Sequence, residues 1–188
     1  LRSCAFNGVS VCVAGDPLSE ASAGKAVLTG LCEVGEDLEY FTTHTIEGCT
    51  VNGKPLVYLV NQPNALVPED AGGLIAVGCD GLTVRGLDVS DSSMGIEVVH
   101  CRNVTVENVT ADRCGIFGTY LAFVEGGEMR GVTVRETNHG IDTRACTGMI
   151  VADCLAEDCD QGIFWSKCED CTTQGCTVRR CGFGYFAA

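Results

Sequence analysis

Gly73-Leu74, Gly95-Ile96, Gly115-Ile116, Gly140-Ile141, Gly162-Ile163 and Gly184-Tyr185 open successive units of one repeating stretch, at steps of 22, 20, 25, 22 and 22 residues. Short alternating runs lie between them. Leu82-Thr83-Val84 is followed by Leu87-Asp88-Val89, and Val104-Thr105-Val106 by Val109-Thr110-Ala111. Gly131-Val132-Thr133-Val134 and Met149-Ile150-Val151 fall in the same register. Alternation of this kind is a strand with one buried face. An internal period of this length marks a solenoid, whose units bury their apolar faces only against one another. Three short strands per turn of about 22 residues predict an all-β chain, a right-handed parallel β-helix, with no competing stretch of helical period.

Upstream, residues 1–72 read as irregular rungs and loops of the same single domain, and 73–188 as its regular rungs. Cys4-Ala5-Phe6 and residues 9–13 predict a first strand pair. Residues 15–25 are small and polar, which predicts a loop. Residues 26–28 and 31–32 resume a strand, 33–39 are acidic and exposed, and 40–46 alternate again. In Thr50-Val51-Asn52-Gly53-Lys54-Pro55-Leu56-Val57-Tyr58, Asn52-Gly53 is a turn signal and the apolar run after it a strand. Residues 61–73, with Pro63 and Pro68, predict a long excursion before the regular rungs. All four prolines precede residue 69, so none removes a ladder hydrogen bond from the repeats.

The 188 residues carry 12 Lys and Arg against 25 Asp and Glu, a net charge of -13. That sign argues against nucleic acid as a partner, because phosphate binding needs cations. No apolar run is long enough to span a membrane. The 14 cysteines point away from a reducing compartment, and the chain reads as exported and extracellular with its signal segment removed. Asn103-Val104-Thr105 and Asn108-Val109-Thr110 have the form of glycosylation sequons, and equally of ordinary turn and strand residues.

The run Val51-Asn52-Gly53-Lys54-Pro55-Leu56-Val57-Tyr58, then Ala71-Gly72-Gly73-Leu74-Ile75, Leu82-Thr83-Val84 and Gly95-Ile96, resembles the NosD-like parallel β-helix proteins, also grouped as carbohydrate-binding and sugar-hydrolase domains. The resemblance covers residues 40–188. It implies an exported right-handed β-helix with links to copper delivery, polysaccharides and archaeal surfaces, and it carries no catalytic motif. In overall character, cysteine-rich and self-associating, the chain also resembles the tubular sheath proteins of methanogenic archaea.

Aligned by rung, the cysteines fall in columns. Cys79, Cys101, Cys146 and Cys168 share one turn position, with Val124 in the middle rung; Cys154 and Cys176 are 22 apart, as are Cys159 and Cys181. Rungs stack about 4.8 Å apart, inside the Cα separation of about 4.4–6.8 Å that a disulfide needs. The columns therefore read as disulfides, within or between chains, or as thiols packed in the core. Metal is the third reading, through Cys168-x-x-Cys171 with Cys176 and Cys181, or through His100 beside Cys101 and copper. The expectation is no metal and no cofactor.

Taking the residue after each glycine as inward, the next column outward reads Ile75, Glu97, Phe117, Asp142, Phe164 and Phe186. Glu97 and Asp142 are the weak catalytic candidates. Two rungs place them about 9.6 Å apart, at the edge of the range for an inverting pair of carboxylates. Ile75, Phe117, Phe164 and Phe186, with Val77 and Val99 in the next outward column, read as an apolar assembly face, or as a face that residues 1–70 fold back to cover. The function expected is a structural, non-enzymatic subunit of a self-assembling layer or sheath. Its copies would join by strand addition at an open C-terminal edge and by disulfides. A carbohydrate-binding or carbohydrate-cleaving β-helix and a copper-handling module are the alternatives.

Overall fold

Gly95, Gly140 and Gly162 are each dictated by the rung beside them. In the computed structural model, which describes residues 2–6, 38–42 and 44–187, a Cβ on Gly140 would stand 2.5 Å from the Gly162 carbonyl oxygen, and one on Gly162 would stand 2.5 Å from that of Gly184. The backbones approach so closely here that only glycine fits. On Gly118 a Cβ would run into Val134. The readings made for residues 7–37 lie outside the described residues.

The chain winds through about five turns of about 22 residues. The first sheet is built from Lys54–Val60, Gly73–Val77, Met94–Val99, Phe117–Ala122, His139–Arg144, Gln161–Ser166 and Phe183–Ala187, each parallel to the strand one turn away. The second holds Thr83–Arg85, Arg102–Glu107, Glu125–Arg130, Thr147–Ala152 and Thr172–Gln174. The third holds Thr110–Asp112, Thr133–Arg135, Leu155–Glu157 and Thr177–Arg179.

Corners between these strands are set by residues with positive φ, stacked in four columns. His100, Phe123, Ala145 and Lys167 form one with Gly78; Asn103 and Asp170 stand with Gly81, Gly126 and Gly148 in the next. Asn108 and Asp153 alternate with glycines in the third, and Asp91, Arg113, Glu136, Asp158 and Arg180 form the fourth. No β-branched residue stands in any of them, as expected for the left-handed region, where a branched Cβ clashes most.

The third repeat differs from its sequence reading. Thr119 pairs with Ile96 and Ile141, so Gly118, not Gly115, is the structural equivalent of Gly95 and Gly140. One extra residue is taken up just before it, where the amides of Ile116 and Phe117 both donate to the Ser93 carbonyl, at 2.9 and 3.3 Å. This bulge restores the register, and the later glycines follow in step.

The N-terminal part is also closer to the solenoid than its sequence suggests. Thr50–Val51 and Lys54–Val60 form an antiparallel hairpin through Asn52 and Gly53, with φ of 51° and 79°, the two positive values a tight hairpin turn needs. Residues 61–72, read as an excursion, instead track the following rung: Pro63 bridges Asp80 and Leu66 bridges Thr83. Ala5–Phe6 pairs with Thr50–Val51. Within the stretch 40–46, read as alternating, residues 40–42 lie in the helix Leu38–Thr42 rather than in a strand.

Inward columns such as Leu74, Ile96, Ile141 and Ile163 fill one continuous core. A second apolar cluster lies outside the first sheet. Phe41, Cys49 and Val51 pack there with Ile75, Val77, Met94, Val99, Phe117 and Tyr120. The Tyr58 hydroxyl donates to the Phe41 carbonyl at 2.6 Å and ties the helix down. The open apolar face expected over Ile75, Val77, Val99 and Phe117 is therefore corrected: all four are buried, under the N-terminal part of the chain. Phe164 is half-buried, and Phe186 is exposed.

Candidate functional site

The outward column of the first sheet runs Ile75, Glu97, Tyr120, Asp142, Phe164, Phe186. Tyr120 takes the place expected for Phe117, which moves one position ahead of Gly118 and pairs with Met94 and His139. Glu97 and Asp142 are two rungs apart with the Tyr120 ring between them. Neither is an open carboxylate: Glu97 is 1% exposed and Asp142 0%.

Asp142 is held by two side chains on its own strand. Arg144 donates from Nε to Oδ1 at 2.8 Å and from Nη2 to Oδ2 at 3.0 Å. His139 Nδ1 lies 3.1 Å from the same Oδ2. The guanidinium in turn lies over the rings of Phe117, Tyr120 and Phe164, 5.4 to 5.8 Å from their centres. A carboxylate engaged at both oxygens and shut from solvent has no route to a glycosidic oxygen or a water. As an acid–base pair, Glu97 and Asp142 are not supported by this geometry. Asp142-x-Arg144 on one strand face was the signal for the ion pair; that a ring would cover it was not legible.

Every arginine in the chain is ion-paired, most of them to a neighbouring rung. Arg85 meets Glu107 at 2.8 Å and Arg113 meets Asp91 at 2.6 Å. Glu157, buried, collects Arg135, Arg179 and Arg180. Arg179 and then Arg135 hold its carboxyl below the usual range, and Arg180 does the same to Asp158. Such pairs bind rung to rung and leave no open row of cations among the described residues.

The cysteines from Cys79 onward project inward. The corner column is Cys79, Cys101, Val124, Cys146, Cys168, joined through backbone bonds such as Arg102 N–H to the Cys79 carbonyl at 2.8 Å. Cys154 stacks with Cys176 beyond Leu87, Val109 and Val132. Cys159 stacks with Cys181, and the same column continues through Thr137, Cys114 and Ser92, with Thr137 Oγ1 3.2 Å from Cys159 Sγ and Ser92 Oγ 3.5 Å from Cys114 Sγ. Cys114 escaped the sequence reading because the bulge at Ile116 shifts the later rungs by one residue. All twelve described cysteines stand as thiols. Stacked side chains leave their rungs in parallel, which favours thiol packing over facing sulfurs.

Cys168, Cys171, Cys176 and Cys181 belong to four different columns, and no group of three metal-binding side chains occurs among the described residues. His100 and Cys101 point to opposite sides of the sheet. The imidazole stacks on Phe123 at 4.6 Å and packs edge-on to Phe41 in the outer cluster, whereas the thiol is in the core. They do not form a copper site. A cleft of about 240 Å³ lies beside the hairpin, where Asn52 and Lys54 reach the carbonyls of Asp91 and Asp88 at 2.9 and 3.0 Å.

The pattern of a right-handed beta helix region matches residues 40–188. The chain belongs to that family. No curated protein and no solved structure matches it. In this right-handed β-helix the matched span runs from the helix that caps the outer cluster through the last described rung. Among the described residues no helix is long and apolar enough to cross a membrane.

Proposed function

We propose that this β-helix is a structural subunit of an extracellular self-assembling layer or sheath, its copies joined by strand addition and disulfides. The observation that carries the reading is the use made of its polar groups: the carboxylates that could have acted on a glycan are buried or ion-paired, and the arginines tie rung to rung. What such a chain offers a partner is shape and edge. In the rung through residues 168–187, columns that are buried earlier become accessible: Cys168, Cys171, Val178 and Cys181 are half-exposed, and Phe183 and Tyr185 are 67% and 56% exposed.

Sedimentation of the purified chain over a concentration series, with and without reductant, tests it. The expected result is concentration-dependent polymer that dissolves only in reductant. A monomer at all concentrations, oxidised or reduced, overturns it.

One observation favours a second reading, glycan binding on the first sheet. Phe164 and Phe186 stack at 5.1 Å with their planes 3° apart beside Arg144, and partly exposed flat rings are surfaces on which sugar rings pack. Binding on a glycan panel that Phe186→Ala abolishes is its test.

A further inference from the structure

The turn at Asn52-Gly53 does more than reverse the chain. The third sheet begins at residues 87–91, where the Leu87 carbonyl and the amides of Val89 and Asp91 bond to the following rung at 2.8 to 2.9 Å. Alternate residues of a strand bond to opposite sides. The carbonyls of Asp88 and Ser90 therefore face the other way, at an edge with no strand beyond it among the described residues. The hairpin closes this edge with side chains. Lys54 Nζ donates to the Asp88 carbonyl at 3.0 Å, and Asn52 Nδ2 to the carbonyls of Ser90 at 3.3 Å and Asp91 at 2.9 Å. An unpaired strand edge is thereby blunted, and one asparagine amide supplies two of the three bonds.

Among the described residues, Asn52 is also the one asparagine followed by glycine. A backbone amide beside no side chain reaches the preceding side-chain carbonyl most readily. Both residues are exposed, and a Cβ on Gly53 would meet nothing within 4 Å. We propose that Asn52 is a hydrolytic modification site, converted to aspartate or isoaspartate, and that conversion releases the hairpin from the third sheet. This goes beyond the structural reading and holds whether or not copies assemble.

The step needs only water. The Gly53 amide nitrogen attacks Asn52 Cγ and forms a cyclic imide. The Cγ–Nδ2 bond breaks, and Nδ2 leaves as ammonia with the Gly53 amide proton. Water then adds to one imide carbonyl, that C–N bond breaks, and the nitrogen regains its proton. One water enters, one ammonia leaves, and nothing is oxidised or reduced.

Either product undoes the clip. Aspartate places an acceptor oxygen where Nδ2 stood, against two carbonyl oxygens, in a cleft that Asp88 and Asp91 already line. Lys54, the one cation lining that cleft, is already engaged by the Asp88 carbonyl. Isoaspartate adds a backbone carbon to a two-residue turn that depends on positive φ at both positions.

The test incubates the folded full chain in mildly alkaline buffer, maps each converted asparagine by peptide mass, and follows hydrogen exchange in residues 50–56. Conversion is expected at Asn52, with Asn61, Asn64, Asn103, Asn108 and Asn138 kept as amides. In converted molecules the hairpin amides should exchange about tenfold faster or more, as the loss of two ordinary hydrogen bonds implies. The strand His139–Arg144 should keep its rate, which shows that the solenoid stays folded. Fresh Asn52→Asp protein should show the same acceleration without incubation. Asn52 still an amide at the end of the incubation, or hairpin exchange unchanged in the converted chain or in Asn52→Asp, would each overturn the proposal.

Discussion

Thr119 shows what one atom does in this core. Its neighbours in the column, Ile96 and Ile141 on the adjoining rungs, are aliphatic, yet its hydroxyl is fully buried and Oγ1 has no hydrogen-bond partner. Burying a hydroxyl without a partner costs about 1–3 kcal/mol. Thr119→Val keeps the shape and removes the unmet group. The expected outcome is a gain of about 1 kcal/mol in urea unfolding at unchanged m-value; a loss of stability would show that the hydroxyl is satisfied. Much at this level was legible, because inward positions and cysteine columns follow from period alone. The burial of Asp142 was not. It depends on where Arg144 and three rings from the two adjoining rungs converge, and no local pattern encodes that.

Among the structural elements, glycine has two separate roles that substitution can tell apart. Gly140 is needed for space, because its neighbour's carbonyl occupies the place of a side chain. Gly140→Ala is expected to cost roughly 1–3 kcal/mol, the usual range for overpacking. Ala145 is the converse case. It stands at a corner with φ 48°, where a non-glycine residue is strained by about 1–2 kcal/mol. Ala145→Gly relieves that strain at some cost in unfolded-state entropy, so the expected net change is a gain of under about 1 kcal/mol. Thermal unfolding of the two variants in parallel should give shifts of opposite sign. Strand positions were readable because period two is strong in these repeats, and so was the hairpin at Asn52-Gly53. The bulge at Ile116 was not, since Gly115-Ile116 imitates the repeating dipeptide while the true equivalent, Gly118-Thr119, lacks the aliphatic residue. Helix Leu38–Thr42 is too short to show a helical period.

For the molecule as a whole, two buried thiols, Cys154 and Cys114, make a contribution to stability that depends on pH in one direction. Burial pushes Cys154 up to about 12 and raises Cys114 as well. The unfolded thiol ionises near pH 8.5, so above that pH the unfolded chain binds fewer protons than the folded one. The contribution is therefore complete below about pH 8.5 and is lost as pH rises toward 12, at about 1.4 kcal/mol per pH unit per fully titrating group. Above about pH 8.5 the urea midpoint should fall as this contribution is lost. Cys154→Val, which copies Val132 in the same column, should make the fall shallower; an identical slope would mean that Cys154 titrates normally in the fold.

The arginines carry a consequence beyond any one rung. Since each is already paired with a carboxylate of its own chain, no unpaired arginine offsets the net charge of -13, and the molecule behaves in solution as a small anionic colloid. Two such particles meeting side by side repel over the Debye length, about 30 Å at 0.01 M salt and about 8 Å at 0.15 M. Dilute buffer should hold them apart laterally, and salt should let their flanks touch.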